Sequence, residues 1–159
     1  ATNLSRYPDS DGVALGNWLQ SQGFRHLGDR AGRWQLECYP HPALIEIFRL
    51  EERHLYKKGG VIQKRDGQIQ LANMLLCLRS SPVLALQVPE QFGAHFSQAR
   101  ISELRGGALK HNEDALDAIV CLYIAGLYQA GYGSKVFGSA SEGYIYVPQV
   151  HCIKSTGAS

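Results

Sequence analysis

The sequence lacks any close pair of cysteines. Cys38, Cys77, Cys121 and Cys152 are scattered, with no CxxC or Cys/His spacing, which argues against a structural zinc site. With no signal peptide in view, the four thiols are expected to be reduced and mostly buried, in a cytoplasmic protein. The longest apolar runs fall well short of a membrane span, so no membrane partner is expected. Charge of one sign is scarce as well. A formal net charge of +2 permits an anionic partner without implying one, because nucleic-acid binders commonly carry a basic stripe. The sequence shows no internal repeat, no low-complexity tract and no linker that would mark a domain boundary.

What is present suits one domain. The 159 residues are 45% hydrophobic and 19% charged, enough to bury a core without disulfide staples and too apolar for a disordered chain. A single domain over residues 1–148 is expected, with a loose tail over 149–159. The chain opens Ala1-Thr2-Asn3-Leu4 and runs into a polar stretch, so a cleaved or truncated start is expected.

The periodicity predicts an α/β fold. Asp11 can cap a short helix with Leu15, Trp18 and Leu19 on one face, ended by Gly23. Residues 24–27 and 33–39 read as two strands around a glycine turn, with Trp34, Leu36 and Cys38 on one side and Gln35, Glu37 and Tyr39 on the other. Pro40 stops the second strand, and Pro42 opens a helix with Leu44, Ile45 and Phe48 inward. Tyr56-Lys57-Lys58-Gly59-Gly60 is a basic loop, followed by a helix over about 68–79 and another begun by Pro89. Gly106-Gly107 is expected to break the chain. The strongest helix is predicted over 113–129, where Leu116, Ile119, Val120, Tyr123, Ile124 and Leu127 form an unbroken stripe. A small hairpin of 136–138 with 144–147 closes the fold.

The densest chemistry is a group of acids at the predicted head of that last helix, Glu113, Asp114 and Asp117. Asn112 is a good N-cap, and acids in a first turn favour the helix dipole, which accounts for Glu113 and Asp114 without invoking function. It accounts poorly for Asp117, which lies beyond the first turn at the edge of the apolar stripe and forms a like-charge i, i+4 pair with Glu113. A carboxylate at a core boundary needs a cation, a donor or a proton. Spacing alone leaves both capping and a metal site open. Glu37, near the end of a strand, is either a solvated strand residue or a second site acid, since α/β sites gather beyond the carboxyl ends of strands. Lys57 and Lys58 could hold a phosphate, His111 could deliver a proton, and Tyr144 and Tyr146 could stack on bases, although packing is the commoner role for strand tyrosines.

Four stretches carry a family resemblance. Glu37-Cys38-Tyr39-Pro40-His41-Pro42-Ala43-Leu44, Tyr56-Lys57-Lys58-Gly59, Glu113-Asp114-Ala115-Leu116-Asp117-Ala118 and Glu142-Gly143-Tyr144-Ile145-Tyr146-Val147-Pro148 resemble, in order, segments of the predicted RNase H-like nucleases grouped as domain of unknown function 429. The resemblance implies a ribonuclease H-like fold akin to RuvC-type resolvases, and phosphodiester hydrolysis of DNA or RNA with Mg²⁺ or Mn²⁺. It implies Glu37, Asp114 and Asp117 as catalytic metal ligands, Glu113 as a supporting or alternative ligand, and Lys58 as a phosphate contact. The family begins with a strand bearing a glycine-flanked Asp as its first ligand. Residues 1–24 hold no such strand, Asp9 and Asp11 lying in a polar turn, so the fold is expected to lack its N-terminal strands. Sheet edges left open would favour a homodimer. The alternative is a non-catalytic RNase H-like module that binds nucleic acid or a protein.

Overall fold

The computed structural model describes residues 11–140 and 142–150. Asp9, Cys152 and the tail beyond 150 lie outside the described residues. Helices and small sheets are mixed, in keeping with the α/β expectation. The elements run α1 (Asp11–Ser21), β1 (Arg25–His26), β2 (Trp34–Gln35), α2 (Pro40–Phe48), α3 (Val61–Cys77), α4 (Gln98–Ile101), α5 (Gly106–Gln129), β3 (Ser134–Ser139) and β4 (Gly143–Pro148), with 3₁₀ turns at Leu78–Ser80 and Glu90–Phe96. Among the described residues no helix is long and apolar enough to cross a membrane.

The core lies where α5 meets α2, α3 and β4. Leu44 and Ile47 from α2, Leu71 and Leu75 from α3, Leu116, Val120, Ile124 and Leu127 from α5, and Tyr144 and Tyr146 from β4 are all buried. The α5 stripe is therefore the inner face the sequence predicts. In α2 the inner face is turned by a position: Ala43, Leu44 and Ile47 are buried, whereas Ile45 and Phe48 are only partly covered. Pro40 does not precede this helix but opens it, where a missing N–H costs nothing.

Two helices start earlier than the sequence predicts. The helix over 68–79 begins seven residues earlier, at Val61, and α5 begins at Gly106 instead of 113. Gly106 and Gly107 do not break the chain but fill the first turn of α5, where backbone N–H groups have no partner within the helix in any case. Gly106 takes a positive φ of 50°, which glycine adopts at little cost. The helix expected after Pro89 is instead a 3₁₀ turn and the four-residue α4, with Phe92 exposed and Ile101 buried.

The strand–turn–strand is short and parallel. Arg25 pairs with Trp34 and His26 with Gln35, and Cys38 makes an isolated parallel bridge to Tyr146. Trp34, Leu36 and Cys38 do pack against the core, as their alternation predicts. β3 and β4 form the expected antiparallel hairpin, from Ser134 opposite Pro148 to Ser139 opposite Gly143. Tyr144 and Tyr146 are core residues, so neither offers a face for base stacking. α1 buries none of its residues, and Leu15 and Trp18 stand exposed.

Candidate functional site

The longer α5 changes the status of its acids. Arg105 is the N-cap residue and the first turn holds no acid, so Glu113, Asp114 and Asp117 lie two to three turns inside the helix, where the dipole does not reach them. Asn112 is not a cap either. Its buried amide donates to Gln68 Oε1 at 3.0 Å, and its oxygen faces His95 Nδ1 at 2.9 Å, forming a polar link between α5, α3 and the 3₁₀ turn.

The acids divide into two sets. Lys110 donates to Glu113 Oε1 and to Asp114 Oδ1, both at 2.7 Å. Glu113 is nearly covered, its side chain 8% exposed, whereas that of Asp114 is 58% exposed. The two carboxylates hold the Lys110 ammonium above its ordinary value, Asp114 contributing most. Asp117, 21% exposed, turns to the basic loop. The Tyr56 hydroxyl donates to its Oδ1 at 2.6 Å, and the Lys57 ammonium pairs with its Oδ2. Burial, and then the neighbouring Asp117 carboxylate, push the Tyr56 phenol well above its usual range, so Tyr56 remains a donor. The next residue, Lys58, is exposed; Lys57 is the cation that meets the acidic helix.

A helix glycine makes the approach possible. A Cβ on Gly67 would fall 2.2 Å from the Leu55 carbonyl oxygen and 2.6 Å from Tyr56 Cα. The loop thus rests directly on the backbone of α3, and His54 Nε2 meets the Gly67 carbonyl at 2.8 Å. His41 completes this neighbourhood. It is buried, its ring lies 5.3 Å from Tyr39 and 5.1 Å from Tyr56, and its Nδ1 has no hydrogen-bond partner. Burial first, then Lys57 and Arg53, hold its pKa below the ordinary value.

Glu37 is half-buried at the end of the segment following β2. Its N–H donates to the Tyr144 hydroxyl at 3.0 Å and its carbonyl accepts from Tyr146 N–H at 2.8 Å. It lines a cleft of about 600 Å³ between α1 and the hairpin, shared with His26, Gln35, Glu142 and Tyr144. At the adjoining position Cys38 is half-buried, as is Cys121, one turn beyond Asp117 on α5. The influence of Cys121, and then burial, push the Cys38 thiol up, while Cys38 draws that of Cys121 down. The structure thus joins Lys57 to Asp117 and Glu113 to Asp114, but among the described residues no group of three or more His, Cys, Asp or Glu side chains is placed to hold a metal ion. His111 is exposed on the far side, against His95.

Sequence reasoning missed Tyr56 and His41 as members of this site. A Tyr directly before two Lys in a glycine-ended loop was the available signal for the first. Nothing local announced the second, which is brought in from a distant segment.

Residues 9–142 match the family model described as Protein of unknown function (DUF429). The chain belongs to this family. No curated protein and no solved structure matches it. In this DUF429 chain, the segments around Glu37–Leu44, Tyr56–Gly59 and Glu113–Ala118 are neighbours in space, through the contacts of His41 with Tyr56 and of Tyr56 and Lys57 with Asp117.

Proposed function

We propose that this DUF429 chain carries a ribonuclease H-like fold and serves a nuclease that hydrolyses phosphodiester bonds of DNA or RNA with Mg²⁺ or Mn²⁺, at the place where Asp117 meets Lys57. The observation that carries this reading is the meeting of the three motif segments around one carboxylate. Motifs kept only for packing would have no need to set an acid, an ammonium and a buried imidazole with an unpartnered Nδ1 side by side; such groupings are candidates for functional sites.

As they stand, Glu37, Asp114 and Asp117 do not make a cation site. Asp117 is neutralised by Lys57 and Tyr56, Asp114 by Lys110, and Glu37 lies on the cleft wall. A divalent ion would supply water activation and charge neutralisation in such an enzyme, and here it would need donors beyond these residues. What the chain itself supplies is a fixed positive charge at Lys57, a phenol donor at Tyr56, and at Lys58 an exposed cation within reach of a phosphate backbone. The test is cleavage of labelled DNA and RNA strands in Mn²⁺ or Mg²⁺ by the parent and by Asp117→Asn. Loss of cleavage in a variant of unchanged circular dichroism is expected, and equal cutting by both proteins would reject the assignment of Asp117.

One observation favours a second reading, a non-catalytic RNase H-like module that binds nucleic acid or protein: the central acid already has a resident ammonium. Salt-sensitive binding without cleavage, indifferent to chelator, would select it. Either reading includes a homodimer. β3 pairs only with β4 among the described residues and exposes Lys135, Val136 and Phe137 along its length, an edge open to a second copy. Light scattering should give twice the chain mass, and a monomer at high concentration would remove this part of the proposal.

A further inference from the structure

We propose that His95 and His111 form a binding site for a first-row transition-metal ion of the Zn²⁺ or Ni²⁺ class, apart from the place where Asp117 meets Lys57. His95 comes from the 3₁₀ turn Glu90–Phe96 and His111 from α5, and their ring centroids lie 5.9 Å apart. A buried relay orients the first of them. It starts at the Leu109 carbonyl, which can only accept, so the Gln68 atom 3.2 Å away is the amide nitrogen. Gln68 Oε1 then accepts from Asn112 Nδ2 at 3.0 Å, which leaves Asn112 Oδ1 facing His95 Nδ1 at 2.9 Å. An amide oxygen only accepts, so Nδ1 carries the proton and the neutral ring keeps its lone pair on Nε2. Gln68 and Asn112 are both buried, so a backbone group, not solvent, sets the direction of the relay.

Metal-binding imidazoles are supported in this way: one ring nitrogen donates to an oxygen, which fixes the ring and makes the other nitrogen a better ligand. His111 directly precedes Asn112 in the chain, so the residue that anchors His95 also fixes where His111 leaves the helix. An ion held at about 2.0–2.1 Å by an imidazole nitrogen lies roughly 3.2 Å from the ring centroid. One ion can therefore span two rings whose centroids stand 5.9 Å apart. His111 is exposed and His95 half-buried, so the ion enters from solvent and water fills its remaining positions. Two imidazoles without a carboxylate select a borderline transition metal over Mg²⁺ or Ca²⁺, which take oxygen ligands. The next acids along α5, Glu113 and Asp114, both accept from Lys110. A bound ion would tie the 3₁₀ turn to α5.

The experiment titrates Ni²⁺ and Zn²⁺ into the full chain by isothermal titration calorimetry, in a Cys77→Ser background that removes the exposed thiol. Saturable binding of one ion per chain is expected, undisturbed by excess Mg²⁺. His95→Ala and His111→Ala should each weaken it by on the order of tenfold or more, since loss of even an outer support costs a metal site that much. Asp117→Asn should leave the binding as it is, so failure of the nuclease reading would not touch this site. If His95→Ala does not fold, His111→Ala, at an exposed position, decides alone. No saturable binding of either ion, or binding of equal strength in His111→Ala, would overturn the proposal.

Discussion

Two lysines neutralise carboxylates on α5, and they do so in different ways. Lys110 sits on the same helix as Glu113 and Asp114, at i, i+3 and i, i+4 spacing, and is 61% exposed. Lys57 reaches Asp117 from a loop 60 residues away, is 25% exposed, and acts together with a buried phenol. The first arrangement follows from helix geometry and competes with water, so it contributes little. The second needs the loop, α3 and α5 all in place. Three residues along one helix therefore separate a solvated charge pair from a position whose every partner is tertiary.

The largest effect should come from the glycine that lets the loop approach. Gly67→Ala drives a methyl into the backbone of residues 55 and 56 and should cost about 3 kcal/mol in urea unfolding, as overpacking against main chain does. If its role is to bring Tyr56 and Lys57 to Asp117, then Asp117→Asn should cost less in the Gly67→Ala background than alone. Strict additivity in that double-mutant cycle would separate the glycine from the site.

Next in size, Tyr56→Phe removes one donor from a carboxylate that has lost most of its water and should cost about 2 kcal/mol. A change below the precision of the unfolding curves would mean that Lys57 and solvent suffice. A smaller effect belongs to His41. Its folded pKa lies below the ordinary 6.5, opposed by burial, Lys57, Arg53 and His54 and aided only by Asp117. The unfolded chain therefore takes up the proton first, so stability is full above pH 6.5 and falls as pH drops through the lower folded value. The melting temperature of His41→Gln should be flatter than that of the parent across this window, and parallel profiles would assign the acid loss to other groups. The least effect is expected for Lys110→Ala, under about 1 kcal/mol and smaller still in high salt. A cost matching Tyr56→Phe would erase the contrast between the two lysines.

The same contrast explains what could be read in advance. The stripe from Leu116 to Leu127 is a local period of the chain, and it became the inner face of α5. The hairpin of β3 and β4 was visible in its alternation and its turn residues. The start of α5 was not, because Gly106-Gly107 breaks a helix interior but fits a first turn, and only packing decides which applies. That single difference moved Glu113, Asp114 and Asp117 from a cap to the body of the helix and removed the dipole as their explanation. In the same way, the strand over 33–39 shrank to Trp34–Gln35 and a bridge at Cys38, since strand pairing depends on partners far along the chain.

The sequence by itself determined the mixed α/β character, the apolar faces of α3 and α5 and membership of DUF429. All of these are set by spacing within one element or by residue identity. Only the tertiary structure decided that Lys57 rather than Lys58 meets Asp117, and that Tyr56 and His41 stand beside it. Each of those contacts joins segments that no local period relates. They exist because burying the α5 stripe against α2, α3 and β4 fixes where the flanking side chains end up.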